Sequence, residues 1–403
     1  MPATLATLNA VTKEVYEGDL REQLNNEVVM LRRIEKTSRG TSNEVGGRYV
    51  TFPIHVRRNQ GIGARNESEA LPNPGQQGTI AARIGLKYQY GAVQLTGQTI
   101  KLIDKNYQAF TSAMDLELNG VRKDLSVDLN RQVWGDGTGK IGAVTSAVGV
   151  AAQTFPVDRP DLFQLDEMVD FVATASGTVT QSDRKVTAIN LSAKTITVTG
   201  TSFTAAQGDY FVRHGNLNRE WTGLGAIVSD SGTLYNVDPS SEPLWKSVIN
   251  TNGGSSTAIS EAMITKLVDD IRYTNGGSTS VLVSTPGVRR AYANMLRTQR
   301  QFVNVKEYTG GFAGIGFVTD KGEIPIVIDY MAPPGTITAL EEDNLKLYRE
   351  ADWEFMDLDG SKWQRVITSA GAFDAYGATL YQYSELGTDR RNTHGRISNI
   401  TEE

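Results

Sequence analysis

The chain has 403 residues, 39% hydrophobic and 21% charged, with a formal net charge of −6 and no cysteine. This is a foldable composition, long enough for two or three ordinary domains or one elaborated one. The missing thiols exclude disulfides, thiolate zinc sites, iron–sulfur clusters and cysteine nucleophiles; the charge gives the whole chain no electrostatic grip on nucleic acid or anionic lipid.

The first residues, MPATLATLNAVTKEVYEGDL, lack the basic and apolar segments of a secretory signal. No uninterrupted apolar run approaches the roughly eighteen residues of a membrane span. Residues 1 to about 47 read as an arm with one helical stretch. Val11, Val15, Tyr16 and Leu20 give a loose stripe, and Val28, Val29, Leu31 and Ile34 follow before the break at Ser38–Gly47. Such an arm is either a strap onto a neighbour or a frayed end tied down by a few aliphatics.

Arg48 to Ile100 reads as a polar, two-armed excursion: a strand out (RYVTFPIHV), a Gly/Pro/Asn-rich tip near Arg57–Gly78, and a strand back. On the return arm Ile80, Ala82, Ile84, Leu86, Tyr88 and Tyr90 occupy alternate positions, and the phase slips near Gly91 to Val93 and Leu95, which predicts a bulge or bend there. Arms of some twenty residues would reach roughly 65 Å. An isolated hairpin is marginal in water, and the excursion has too few apolar residues for a core of its own. A neighbouring copy is therefore expected to cover it, with Arg57, Arg58, Arg65, Glu67 and Glu69 as candidate intersubunit contacts.

A long amphipathic helix follows, Lys101 to Trp134. Ile103, Tyr107, Phe110, Met114, Val121, Leu125, Leu129 and Val133 recur at helical steps, with Arg122, Lys123, Asp124 and Arg131 on the opposite face. Its span is about 50 Å. Gly135 ends it. Asp158–Thr174 reads as a further helix, and Gly177–Gly215 as a small inserted β-module of short alternating runs. Helices are expected at Thr257–Thr274, closed by Asn275-Gly276-Gly277, and from Thr285-Pro286 to Gln299, with a buried strand at Ser280–Ser284 between them. Gly314–Thr388 is mostly strands, including Ile324–Ile328 and Ala372–Tyr383. The polar tail Asp389–Glu403 is expected to return along the surface.

Catalytic patterns are missing from the sequence. GDGTGK at Gly135–Lys140 fails the phosphate-loop spacing and follows a helix rather than a strand; it reads as a helix stop and tight turn. His55, His214 and His394 lie in separate segments without metal-ligand spacing. Asp357, Asp359 and Gly360 suggest a β-turn better than a calcium loop, and Glu341-Glu342 reads as a solvated pair. Arg289, Arg290, Arg297 and Arg300 make one helix face basic, either solvated or ion-paired. No catalytic, cofactor or metal site is assigned.

The order of parts, together with YGAVQLTGQTI at Tyr90–Ile100, WGDGTGK at the helix end, WTGLGAIVSDSGTLYNVD at Trp221–Asp238 and HGRISNI at His394–Ile400, resembles the major capsid proteins of tailed bacteriophages, the Hong Kong 97 fold. The resemblance spans about residues 10 to 400. It implies an α+β capsid subunit with an N-terminal arm (1–47), an extended loop (48–100), a peripheral domain built from the spine helix and a sheet (101–141 and 335–403), and an axial domain (142–334) carrying the β insertion at about 177–215. It implies a non-enzymatic protein without cofactors that self-assembles as hexamers and pentamers into an icosahedral shell around double-stranded DNA. The family's partners would be portal and scaffolding proteins, a decoration protein as a further candidate, and DNA contacted non-specifically, with no membrane. The place would be the virion, assembled in the host bacterial cytoplasm. Gly91, Gly97 and the tip glycines would be flex points between five- and six-fold environments. Two departures follow. No Lys lies between Lys36 and Lys87, so no lysine crosslink is expected from the loop. The loop begins near Arg48, leaving no room for a long scaffolding segment, so a separate scaffolding protein or cleavage is expected. The alternatives are an encapsulin-like cellular compartment shell, an α+β enzyme with an unrecognised site, and a glycan-binding module at Gly177–Gly215.

Overall fold

A computed structural model describes residues 27–36, 41–42, 49–98, 107–298, 306–308, 312–319, 322–357, 363–368 and 371–403. Helices and many strands combine in an α+β fold with three apolar centres: one around the end of the spine helix, one under a seven-stranded sheet, one inside the β insertion.

The excursion from Arg48 to Ile100 divides in two. Tyr49–Arg57 pairs antiparallel with Gly78–Gly85 as a ribbon. After Leu86 the chain enters the strand Lys87–Thr96, which joins a six-stranded sheet against the long strand Gly371–Thr388. The side-chain phase therefore changes at Leu86, not at Gly91. Tyr88 and Tyr90, counted as inward-facing from the sequence, are 61% and 52% exposed, because a tyrosine can present its ring to a sheet face and its hydroxyl to water. Gly91 pairs with Leu380 in unbroken register. Its missing side chain serves packing rather than bending: a Cβ would stand 2.6 Å from Leu125 Cδ1 and 2.8 Å from Val121 Cγ1 of the spine helix.

The ribbon stem also has a bed on its own chain, contrary to expectation. Ala82 and Ile84 are buried, Ile84 lies against Tyr348, and the Arg83 N–H donates to the Tyr235 carbonyl at 3.0 Å. Its strands of nine and eight residues reach about 30 Å, half the expected span. Only the tip lies beyond this support.

The spine helix is described from Tyr107 to Trp134; its expected first residues lie outside the described residues. Leu129 and Val133 are buried and Arg122, Lys123 and Asp124 exposed, as the periodicity predicts. Its last turn departs from that pattern: Asn130, Arg131 and Gln132 are buried too. The segment Trp221–Ile227 wraps this end. Gly225 N–H donates to the Gly135 carbonyl at 3.0 Å. A Cβ on Gly223 would stand 2.3 Å from the Gln132 oxygen and 2.4 Å from that of Val133. The Trp-Thr-Gly-Leu-Gly run thus needs glycine for close approach to the helix's terminal carbonyls.

One carboxyl group ties this helix end to the remainder. Asp329, at the end of the strand Gly322–Ile328, is 1% exposed. It accepts hydrogen bonds from Asn130 Nδ2 (3.2 Å), Trp134 Nε1 (3.1 Å) and the Met30 N–H (3.2 Å). Asn130 Oδ1 in turn accepts from the Leu31 N–H at 3.1 Å. Val29, before helix Met30–Lys36, has no polar side chain to accept from the first-turn N–H groups, and these distant side chains accept from two of them. Val28, Met30, Leu31 and Ile34 fill the same apolar centre.

The seven-stranded sheet runs in the order Val248–Asn250, Gly395–Ile397, Ile337–Leu340, Val281–Ser284, Gly322–Ile328, Phe312–Thr319, Lys306–Tyr308. Helix Glu261–Asn275, capped by Ser260 and closed by left-handed Gly276, packs on it; helix Pro286–Thr298 packs beside it. The tail is therefore not superficial. Gly395–Ile397 is an interior strand, and His394, Ile397 and Ile400 are buried. The tail's aliphatic residues, Ile397 and Ile400, stand three apart and show no strand alternation, so the polar composition carries no local signal of this burial.

Asp158–Thr174 is not a helix. Pro160–Leu162 forms a single 3-10 turn and Met168–Ala173 is a strand. That strand lies in a sheet ordered Lys140–Ala143, Tyr210–Arg213, Met168–Ala173, Thr178–Asn190, Thr195–Val198, Thr154–Pro156. The sheet thus begins well upstream of Gly177. Leu162, Val169 and Val172 fit a helical face and an extended run equally over so short a stretch. The tertiary cluster Phe155, Phe171, Phe203 and Phe211 decides for the strand.

Two substitutions test this architecture. Gly223→Ala forces backbone apart at the helix end and is expected to destabilise the chain by about 3 kcal/mol or more in urea unfolding. Asp329→Ala strands three buried donors at about 1–3 kcal/mol each and is expected to lower thermal stability more than Asp329→Asn, which keeps one acceptor.

Candidate assembly surfaces

Two surfaces group exposed apolar or aromatic side chains on an ordered element, apart from single exposed side chains such as Val150, Tyr273 and Val318. The first is the ribbon tip. Asn59 closes its neck, with Nδ2 donating to the Gly75 carbonyl at 3.0 Å and Oδ1 accepting from the Gly61 N–H at 2.7 Å. Arg65 folds back, donating from Nε to the Ala70 carbonyl and from Nη1 to that of Ala64, both at 2.9 Å. Glu69 accepts from the Asn66 N–H and Nδ2, also at 2.9 Å, and these bonds hold its carboxyl below the usual range. The result is a preformed pad rather than a loose loop. On it Ile62 is 83% and Leu71 84% exposed. Exposed aliphatics on a rigid, polar-rimmed projection mark a contact surface.

The five charged residues expected to make intersubunit contacts thus divide. Arg57 pairs with Glu242 of its own chain at 2.5 Å and fixes the stem. Arg65 and Glu69 shape the tip. Arg58 and Glu67 are exposed. The apolar pair Ile62 and Leu71 was passed over because single aliphatics in a polar, glycine-rich stretch carry no periodic signal.

The second surface is the outer face of the six-stranded sheet. Tyr88 and Tyr90 lie opposite Tyr383 and Tyr381. The Tyr88 and Tyr383 rings meet edge to face at 4.9 Å, and those of Tyr381 and Tyr383 stand 5.2 Å apart. Exposed Glu350 and Glu354 stand beside this stripe.

The buried charges are structural. Arg131 pairs with Asp128 (3.0 Å) and Glu220 (2.6 Å), and Arg213 with Asp128 (3.1 Å) and Glu167 (2.7 Å). Burial opposes the ionised form of Asp128, but Arg131 and Arg213 outweigh it and hold the carboxyl down to about 2. The network couples the spine helix to the β insertion. Arg391 is fully enclosed and donates to the carbonyls of Ile227, Ala226 and Ser231. His394 is buried between the Glu341 N–H and Thr388 Oγ1, and burial pushes its imidazole down to about 3. Glu385, buried, accepts from the Thr222 N–H at 2.7 Å.

The other sequence candidates resolve as structure. Gly137 and Gly139 adopt φ of 91° and 86° in the turn after the helix, and Asp136 Oδ1 accepts from the Thr138 N–H. Arg33 clasps Glu342 at 2.8 and 3.0 Å, so that acid is paired rather than solvated. His55 faces Gln77, and His214 faces Asp170. Asp359, Gly360, Arg300 and the side chain of Arg297 lie outside the described residues. Among the described residues no group of three or more ligands is arranged to hold a metal, and no helix is long and apolar enough to cross a membrane.

A family model of the SU10 major capsid protein matches residues 176–401, more than half of the chain. No curated protein matches it. Among solved structures, a chain of the cyanophage A-1(L) capsid asymmetric unit aligns with TM-score 0.64 and 14% identity over 99% of this chain and 100% of that one. The capsid of a native GTA particle gives 0.54 and 11%, over 100% and 99%. A Mycobacterium phage Bobi chain gives 0.50 and 9%, over the whole of both. At these identities the likeness is one of fold; the family match makes the chain a phage capsid subunit, a structural protein. The chain belongs to the SU10 major capsid protein family.

Glu385 gives a measurable pH signature. Burial raises its carboxyl to about 8, against the opposing pull of the Thr222 N–H, Lys87 and the Leu386 N–H. An acid whose folded pKa exceeds its unfolded value contributes stability fully below the unfolded value, 4.5, and loses it as pH rises to about 8. Glu385→Gln retains an acceptor for Thr222. Urea unfolding of the variant is expected to match the parent near pH 5 and to exceed it by on the order of 3 kcal/mol near pH 8.5.

Proposed function

We propose that this protein is the principal shell-forming subunit of a tailed-phage head, assembling with itself as hexamers and pentamers into an icosahedral shell around double-stranded DNA. The observation that carries the reading is the ribbon tip: an ordered pad, anchored at its root by Arg57 and Glu242, that presents Ile62 and Leu71 to solvent. A projection rigid enough to hold its shape and too apolar to remain uncovered fits a contact with another copy.

The family expectations extend the reading. The spine helix with the six-stranded sheet would form the peripheral domain, and the seven-stranded sheet with its two helices the axial domain. The net charge of −6 suits a wall that faces packed DNA without gripping it, so any DNA contact is non-specific. Portal and scaffolding proteins, and a decoration protein outside, are the partners such a head requires. Assembly would take place in the host bacterial cytoplasm. The capsid family and the exposed tip favour this reading over an encapsulin-like compartment or an enzyme.

Expression of the chain, followed by sedimentation and negative-stain microscopy, tests the reading. Rings or closed shells are expected. Replacing residues 60–74 by a short Gly-Ser linker should abolish them while leaving the unfolding midpoint of the free subunit nearly unchanged. A parent chain that sediments only as a monomer to tetramer overturns the reading.

A further inference from the structure

We propose that His214 and Asp183, on the β insertion, form a binding site for one divalent transition-metal ion, with Asp170 holding both ligands in place. The site belongs to the single subunit and does not depend on assembly.

Three groups distant in sequence meet there. Asp170 lies in the strand Met168–Ala173, Asp183 in the neighbouring strand Thr178–Asn190, and His214 directly after Tyr210–Arg213 on the other side. Asp170 is buried. Its Oδ1 accepts from His214 Nδ1 at 2.8 Å and from the Asp183 N–H at 3.1 Å, and its Oδ2 accepts from the Gly215 N–H at 3.0 Å. Burial opposes its ionisation, but these bonds outweigh it and hold the carboxyl below the usual range. An ionised carboxylate can only accept, so the bond to it places a proton on His214 Nδ1. The second ring nitrogen, Nε2, then faces the Asp183 carboxylate, 3.3 Å from Oδ1.

The backbone bends to bring Asp183 there. Val169 pairs with Arg184 but Phe171 with Gln181, so the strand Thr178–Asn190 carries an extra residue opposite Asp170. At that bulge Asp183 adopts a left-handed φ of 54°, a conformation that aspartate tolerates better than most residues. Bulges of this kind re-aim side chains beside functional sites. One buried carboxylate therefore positions both groups, the imidazole through its ring N–H and the bulge through its main-chain N–H. A carboxylate behind a histidine is the usual support of a metal-bound imidazole, because it fixes the tautomer and the ring plane.

The separation suits a metal. Bonds of about 2.1 Å to Nε2 and to Oδ1, across the 3.3 Å between them, meet at about 105°, close to tetrahedral. The His214 and Asp183 side chains are open to solvent, and with two protein ligands the remaining positions fall to water. An imidazole with one carboxylate selects zinc, cobalt, nickel or copper over magnesium and calcium, which take oxygen ligands. Without metal, a proton on Nε2 makes the contact an ion pair with Asp183. The metal takes that proton's place and the proton leaves to solvent. The bond to Asp170 raises the imidazole's hold on a proton, so metal binding tightens as pH rises through its titration.

Calorimetric titration of the whole chain with zinc chloride tests the site. One ion per chain is expected to bind. His214→Gln and Asp183→Asn, both at exposed side chains, should each weaken binding roughly tenfold or more, while His55→Gln, on the ribbon, should leave it unchanged. Asp170→Asn should weaken it about 10–100-fold and move its pH midpoint down, a shift that a merely structural role would not produce. A parent chain that binds no zinc, or binding undiminished in both His214→Gln and Asp183→Asn, overturns the site. An unmoved pH midpoint in Asp170→Asn overturns the positioning role.

Discussion

The structure depends on closing the C-terminal end of the spine helix. A helix end exposes carbonyls that must find donors or water, and here the last turn is buried on every side. Asp329 answers for Asn130, Trp134 and the Met30 N–H together, while Gly223 and Gly225 bring backbone against the terminal carbonyls. Four parts of the chain distant in sequence converge there: the segment from Val28, the spine helix, the Trp-Thr-Gly-Leu-Gly run and the end of an interior strand of the seven-stranded sheet. A polar group buried at such a point is satisfied only when all of its partners arrive. The junction therefore enforces one arrangement of the layers, beyond what apolar packing of Trp221, Trp245 and Leu224 would specify.

That closure divides the surface into what is finished and what is not. The ribbon stem is bedded on the body through Ala82, Ile84 and the Arg57–Glu242 pair. The β insertion has a phenylalanine core of its own and a charged seam, Arg213 to Asp128, that fixes it to the helix. The tip and the tyrosine stripe leave apolar surface open to solvent, as do single side chains such as Val150, Tyr273 and Val318. A shell subunit must be stable before it meets its neighbours and still adhesive afterwards. A small, internally bonded patch such as the tip meets both needs, because little conformational entropy remains to be lost on contact.

Much of the fold was legible in the chain. The spine helix showed in the three- and four-residue recurrence through Val121, Leu125, Leu129 and Val133, and the helix at Glu261 in its Asn275-Gly276-Gly277 stop. The ribbon showed in alternation and in its Gly/Pro/Asn tip. The misreadings share a cause. Tyr88 and Tyr90 look apolar by type but face water. Arg131 looks solvated by its helix face but is buried in ion pairs. His394 and Arg391 lie in a polar tail yet sit in the core. The Met168–Ala173 strand resembles a helical stripe over six residues. In each case residue type and spacing were read correctly, and a distant segment decided the environment.

By itself the sequence determined the periods, the turns, the absence of thiol chemistry and the order of parts from which the capsid resemblance was read, since these depend on contacts within a few residues. Only the tertiary structure decided which face of Lys87–Thr96 meets solvent, why glycine must stand at Gly91 and Gly223, and that the ribbon's stem is supported while its tip is not. Those outcomes rest on segments from about thirty to three hundred residues apart meeting, Gly91 with Leu125, Gly223 with Gln132, Ile84 with Tyr348 and Arg57 with Glu242, and burial created by such meetings is a property of three-dimensional neighbours that no local pattern encodes.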